Sequence, residues 1–395
     1  MPSLPQRKRS RSPSHSATPT SRQPRSESAS PTSGSSNNNT NNNNNEAFFL
    51  DPSFSNFKGD IYLKIENTLF PCSCEKLGNA GGFFSALFSI PQPNDTDLIH
   101  GLPHCDMPDC TVDDLRPLLQ LIHGFEKVFW NKTEGGRYEF NLDNILGVLR
   151  LSVRFDLADC RLQAAQAVRD FVNCTLGDIA VEGPTLDVPC LVLVGHNLHE
   201  DLAMCRLSFR MINIFHESQL PQFLPYAYYL ACQQPVDIIM DGVDLPNGTR
   251  ECLTVKDIKK ILNGKHSLRR LRREHTFGWL TQLANYRKES YAQLTSCISA
   301  PECHEFTCSL RDAFFQPGSS VLEDRYDALA SMSASAWTVV KNHVCLSCQK
   351  QLMYQLGLSR CESWERLPLM FGDQTWAELK SYQKKLDEEW MVPIC

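Results

Sequence analysis

The chain has 395 residues, 42% of them hydrophobic and 21% charged, with a formal net charge of −6 and 17 cysteines. Residues 1–45 are rich in Ser, Pro, Arg and Asn and lack hydrophobic periodicity, so they are expected to be a disordered tail, and the rest is long enough for two folded units. The tail holds six Lys+Arg against one Asp+Glu and the other 350 residues 33 against 44; so acidic a body argues against a general nucleic-acid surface, which needs a basic face to neutralise phosphates.

No run of about 18 apolar residues exists, so no segment is expected to cross a membrane. The opening Met1-Pro2-Ser3-Leu4 runs straight into Arg7-Lys8-Arg9 without an apolar secretion segment. That predicts an intracellular, reducing setting, nucleus or cytoplasm, in which most thiols stay free. The run Arg7 to Pro13 reads either as a nuclear import signal, with Ser12 as a phosphorylation site that lowers its charge, or as an inert solvating tail.

Glu46 to Phe57 is a lead-in whose Phe48, Phe49, Phe54 and Phe57 are expected to dock on the first domain. Ile61 to Ile65 is a short strand with Ile61, Leu63 and Ile65 on one face, Glu66-Asn67-Thr68 a hairpin turn, and Leu69-Phe70 the opening of a return strand. A helix-compatible segment follows, with Leu77, Phe84, Leu87 and Phe88 as apolar anchors. Gly124 to Phe140 is an insertion with a loop tip at Gly135-Gly136. Beyond a connecting segment, Leu202 to Phe215 and Pro221 to Cys232 are helices, and Thr254 caps a helix over Val255 to Leu262 that Asn263-Gly264 stops. Leu268 to Asn285 continues as helix. Pro189 to Val194 is too short to span a membrane and reads as a buried piece.

This order, with Phe84-Ser85-Ala86-Leu87-Phe88, the Leu118–His123 run and the Val153–Leu157 turn, resembles a BTB/POZ domain. Leu220 to Cys232, Leu253 to Leu262, Cys345-Leu346-Ser347-Cys348 and Trp364 to Trp376 are similar to the expanded BTB proteins of mushroom-type fungi, so the resemblance covers roughly Phe54 to Leu379. Two departures stand out: His123 where the family usually has Tyr, and Pro71-Cys72-Ser73 where a "vH" often follows the second strand. The resemblance implies a third strand at Leu102-Pro103, a helix over Asp109 to His123 and a closing helix pair over Asn144 to Phe171. It implies an α+β fold: a BTB/POZ-like domain over 46–174, a short β-sheet covered by helices, followed by a mostly α-helical domain over 175–395. It also implies a non-enzymatic protein-interaction module, self-associating or acting as an adaptor. Docking to a cullin-based ubiquitin ligase would use an apolar-x-acidic motif, which Val112-Asp113-Asp114 matches loosely.

The sharpest chemical signal is cysteine spacing. Cys303 and Cys308 form a C-x4-C pair and Cys345 and Cys348 a C-x2-C pair, and two such pairs can close a tetrahedron of thiolates around zinc. Cys297 is an alternative ligand, as is His304. The rival reading is reduced core thiols. Leu268 to Arg273 (LRRLRR) either binds an anionic partner or is a solvated helix face. Catalytic signals are thin: no phosphate-binding glycine loop exists, Asp95-Thr96-Asp97 reads as a polar loop, His196 and His199 as ordinary histidines, and His343 beside Cys345 lacks an orienting third group. The function expected is therefore protein binding, against a nuclear nucleic-acid-associated regulator with a zinc site and an enzyme of unrecognised class.

Overall fold

Period-2 alternation builds the first elements where the sequence puts them. The computed structural model describes residues 48–90, 98–132, 138–180, 201–245, 250–316, 326–329, 334–372 and 374–390. The expected tail with its basic run, the Asp95–Asp97 loop, the Gly135-Gly136 tip, Pro189 to Val194, His196 and His199 lie outside the described residues. The fold is mixed α+β, with a small sheet and many helices.

Strands β1 (Phe49–Leu50), β2 (Ile61–Ile65) and β3 (Thr68–Cys72) come first. Ile61, Leu63 and Ile65 enter the main core, and Tyr62 packs on the other face with Leu69 and Ile99. Glu66 makes the tight turn at φ 49°. Helices α1 (Cys74–Asn79) and α2 (Gly82–Ser89) are split because Gly81 and Gly82 take positive φ. A Cβ on Gly82 would stand 2.1 Å from the Phe155 carbonyl oxygen, so only glycine lets α2 start against that turn. Leu77 and Phe84 are buried as anchors, whereas Leu87 and Phe88 are half-buried. Strand β4 (His104–Asp106) completes a sheet of order β1-β3-β2-β4, with β2 antiparallel to β3 and parallel to β4. Pro71 costs this sheet little: β1 has ended by that point of β3, and Tyr62 opposite gives its N–H to the Pro103 carbonyl.

Helix α3 (Val112–Ile122) is capped by Thr111, whose hydroxyl accepts from the Asp114 N–H. The insertion forms a hairpin of β5 (Trp130–Lys132) and β6 (Tyr138–Phe140), and Val128 and Phe129 are buried beneath it. Helices α4 (Leu142–Arg154) and α5 (Ala158–Ala180) form the expected pair. The two departures from the BTB pattern meet each other. The Ser73 N–H donates to His123 Nε2 at 3.0 Å, and His123 Nδ1 lies 2.8 Å from the Leu119 carbonyl. Those partners fix a neutral imidazole with its proton on Nδ1, since a backbone N–H only donates and a carbonyl only accepts.

Further along run α6 (Asp201–Glu217), α7 (Leu224–Ala231), α8 (Val236–Asp241), the two-residue strands β7 (Val243–Asp244) and β8 (Arg250–Glu251), and α9 (Val255–Leu271). Then come α10 (Gly278–Asn285), α11 (Lys288–Thr295), α12 (Ala300–Phe315), α13 (Ala334–His343), α14 (Leu346–Phe371) and α15 (Trp376–Trp390). Thr254 caps α9 as expected. Asn263-Gly264 does not stop it. A Cβ on Gly264 would lie 2.2 Å from the Phe371 ring, so this glycine admits α14 against α9 rather than ending a helix. The helix expected over Leu268 to Asn285 is interrupted by a π turn at Arg272–Thr276. There one arginine of the LRRLRR run turns inward while Arg269, Arg270 and Arg273 stay exposed. Arg272 is buried, pairs with Asp327 at 2.9 Å and stacks on Phe277, while Arg269 donates to the Tyr326 hydroxyl and Arg270 pairs with Glu274.

Residues Ala47–Cys395 form one compact unit, and one buried cluster runs from Phe54 to Leu379. The boundary expected at 174 falls inside α5. Across it lies a buried ionic network: Asp114 of α3 pairs with Arg210 of α6 and, at 3.8 Å, with Arg150 of α4. Arg150 reaches Glu251 at 3.3 Å, and Asp143 holds Arg206 at 2.8 Å and Arg210 at 3.5 Å. Gly147 makes room for this network, since a Cβ there would lie 2.8 Å from Asp114 Oδ1. Asp114 is thus occupied internally, which leaves Asp113 as the exposed acid of Val112-Asp113-Asp114.

Removing one partner of a buried ion pair strands the other charge. Arg210→Ala is therefore expected to cost about 3–5 kcal/mol, against less than about 1 kcal/mol for Arg250→Ala at its exposed pair with Asp244, both read by urea denaturation. Equal effects would contradict the network's role. Burial, aided by the Lys76 ammonium, holds the His123 imidazole below the usual histidine range, although its bond to Leu119 works the other way. A depressed histidine gives stability that is complete above the unfolded value of about 6.5 and declines as pH falls below it, because the unfolded chain takes the proton first. Stability of the native chain should fall more between pH 7.5 and 5.5 than that of His123→Gln. Parallel pH profiles would refute this.

Candidate metal centre

Cysteines from two helix starts converge in the C-terminal half. Helix α11 ends at Thr295, Ser296 turns the chain with φ 49°, and Cys297 follows in the connection to α12. Pro301 sits in the first turn of α12, where its missing N–H costs nothing, and Cys303 lies one residue beyond Glu302 in the same helix. Cys345 is the residue that starts α14, with extended backbone, and Cys348 lies in that helix's first turn. Three residues apart on a helix start, Cys345 and Cys348 face the same way.

The sulfurs of Cys297, Cys303, Cys345 and Cys348 all lie within 4.8 Å of one another. Cys297 and Cys345 are 3.6 Å apart. Tetrahedral zinc with Zn–S of about 2.3 Å sets sulfurs about 3.8 Å apart, so these four fit a single ion with modest contraction. Cys303 and Cys348 are 1% and 0% exposed, whereas Cys297 and Cys345 are half-buried.

The surroundings suit negative sulfur. The Cys345 N–H donates to Cys303 Sγ at 3.2 Å, and the Tyr291 hydroxyl donates to Cys348 Sγ at 3.4 Å. Tyr291 is wholly buried and also bonds Thr307 at 2.9 Å, so its hydroxyl is held in place. Ser347 ties the start of α14 to the end of α11 through the Thr295 carbonyl at 2.7 Å. Helix starts carry unsatisfied N–H groups and a partial positive charge, which favours thiolate there. Burial alone would raise the Cys345 thiol, but the N–H groups of Cys348 and Ile298 and the neighbouring thiols of Cys297 and Cys348 outweigh it and bring it down to about 6. Burial, together with the thiols of Cys348, Cys303 and Cys345, pushes Cys297 up, against the opposing hydrogen bond from the Ser299 backbone. Elsewhere burial raises Cys160 to about 11 and Cys232 to about 12, and these remain ordinary protonated thiols. Around the four sulfurs packs a separate small core that includes Phe277, Trp279, Phe314, Trp337 and Leu352.

One expected ligand is replaced. Cys308 stands outside the cluster, with its sulfur 3.7 Å from the Ala284 carbonyl and 3.9 Å from the His304 ring. Five residues along α12 turn Cys308 about 140° away from Cys303, so the two cannot grip one ion. Cys297, the alternative, takes its place. His304 is directed to the Tyr286 carbonyl at 2.9 Å, and His343 stacks on Phe306 and bonds the Val339 carbonyl.

Comparison of the chain with known protein families, with curated proteins and with solved structures finds no match in any of the three.

Cys297→Ala should therefore lower the bound zinc of the purified chain several-fold, while Cys308→Ala leaves it unchanged, both measured by elemental analysis. Loss at Cys308 with retention at Cys297 would overturn the ligand set.

Proposed function

We propose that the chain is a non-catalytic protein-interaction scaffold of BTB/POZ type whose C-terminal helices are organised by a structural zinc ion. The observation that carries the metal half of this reading is the convergence of four thiols within 4.8 Å. Four protein ligands fill a tetrahedron and leave no position for water or substrate, which is the mark of a structural rather than a catalytic site. Zinc suits a set of four thiolates better than the hard cations, which prefer oxygen.

The BTB half is supported by element order. A hairpin, two short helices, a third strand parallel to the first of the hairpin, a helix, and a closing helix pair follow one another as the resemblance implies. Self-association is supported by β1, which ends the sheet's strand order and exposes Phe49 (64%) and Leu50 (44%). An apolar edge of that kind is a template for pairing with another chain. A cullin is a weaker partner for this chain, since Asp114 of the loosely matching triplet is held by Arg210 and Arg150. Among the described residues, no helix is long and apolar enough to cross a membrane.

Native mass spectrometry of the full chain tests both halves at once. One zinc per chain and a dimer at micromolar concentration are expected, with Phe49→Glu shifting the species to monomer and leaving the zinc in place. A metal-free chain would end the zinc reading, and a monomer under all conditions would end self-association. Removing zinc with a strong chelator should lower the melting temperature of the chain by several degrees, because metal binding to such a site is coupled to folding of the segments that supply its ligands. An unchanged melting curve after verified metal loss would count against that coupling.

A further inference from the structure

The four sulfurs are not equivalent. Cys303 and Cys348 are 1% and 0% exposed, and each already accepts a hydrogen bond, from the Cys345 N–H and the Tyr291 hydroxyl respectively. Cys297 and Cys345 are half-buried and lie 3.6 Å apart. Each is followed by an apolar residue that stands in solvent, Ile298 at 89% and Leu346 at 65% exposure. The half-buried pair therefore forms the outer edge of the site, and the fully buried pair forms its floor. Cys297 and Cys345 also come from different elements, the connection before α12 and the start of α14, so a bond between them joins two segments and does not strain a single turn.

We propose that Cys297 and Cys345 are an oxidation site: a hydroperoxide converts this pair to a disulfide and thereby ejects the metal. The proposal rests on the zinc reading above and adds its regulation. In the first step a sulfur lone pair of one member of the pair attacks the distal peroxide oxygen. The O–O bond breaks, and the leaving oxygen takes a proton from solvent and departs as an alcohol, or as water when the oxidant is hydrogen peroxide. The sulfenic acid so formed is then attacked by the other thiolate. An S–S bond forms, the S–O bond breaks, and the oxygen leaves as water with a proton from solvent. Two thiolates give up two electrons, the peroxide takes them, and zinc keeps its charge. Sulfurs already 3.6 Å apart need to close to about 2.05 Å for the bond to form. With two of four ligands spent, only Cys303 and Cys348 remain, too few to hold zinc in a closed tetrahedron.

The experiment titrates hydrogen peroxide into the zinc-loaded full-length chain. Released zinc is followed with a chromogenic chelator, and disulfides are mapped by mass spectrometry after alkylation. Zinc release in step with a Cys297–Cys345 disulfide, with Cys303 and Cys348 still alkylated as free thiols, is expected, and reduction by a dithiol should restore binding. A disulfide that includes Cys303 or Cys348, or zinc retained while methionines oxidise, would overturn the proposal. The same titration on chain stripped of metal separates the two ideas. If the purified chain holds no zinc, the metal reading fails, while a Cys297–Cys345 bond formed before any other would still support the pairing, and its absence there would refute it.

Discussion

The placement of one half of this protein on the other depends on a charged group taken out of water. Asp114 sits at the start of α3 and is buried against Arg210 of α6, with Arg150 and Asp143 of α4 completing the set. A buried carboxylate without a partner costs several kcal/mol, so α3 and α4 cannot keep their packing unless α6 delivers its arginine to the right place. Gly147 shows how tight the arrangement is, because even a methyl group there would press on the Asp114 carboxylate. Apolar burial binds the two halves together, and the ionic network adds directional contacts to that packing.

Much of the first half was legible because its signals are local. The alternation at Ile61, Leu63 and Ile65 and the apolar run of α4 each follow from a few neighbouring residues, as do, further along the chain, the cap at Thr254 and the apolar run of α6. The errors arose where a local signal was overruled by something distant in sequence. Asn263-Gly264 has the composition of a helix stop, yet the glycine answers to Phe371, more than a hundred residues away. Its cost of about 1 kcal/mol relative to alanine within a helix is accepted for the close approach of α14. The LRRLRR run has the composition of a solvated or anion-binding face, and three of its arginines are exposed as that implies, but Asp327 holds the fourth, Arg272, in the interior.

The thiol site was half legible. Cys345 and Cys348 were readable because their spacing works equally well in a turn or in a helix start. The C-x4-C reading of Cys303 and Cys308 presumed a loop, whereas Pro301 two residues earlier is the signal of a helix start. Once that helix is drawn, a spacing of five becomes unusable and the search moves upstream to Cys297. The two unusual features of the first half, Pro71-Cys72-Ser73 and His123, show the opposite case. Each looks like an isolated irregularity in sequence, yet the hydrogen bond between Ser73 and His123 makes them one feature. Neither residue hints at the other along the chain, because fifty positions separate them.

The geometry of the thiol site also bears on the order in which this molecule is made. Its ligands come from two short stretches, and 42 positions separate Cys303 from Cys345. Pinning a loop of that span costs the free chain about 3–4 kcal/mol, which the roughly 10–16 kcal/mol of a structural zinc site can outweigh. A chain emerging from the ribosome exposes the sheet and α1–α6 first, and these pack through apolar contacts, backbone hydrogen bonds and the Asp114–Arg210 pair, none of which needs a metal. The first two sulfurs must then wait, unclosed, until the start of α14 has been synthesised. A metal held by all four thiols would thus be captured late in biogenesis, and during that interval Cys297 and Cys303 are the sulfurs without Cys345 and Cys348 beside them.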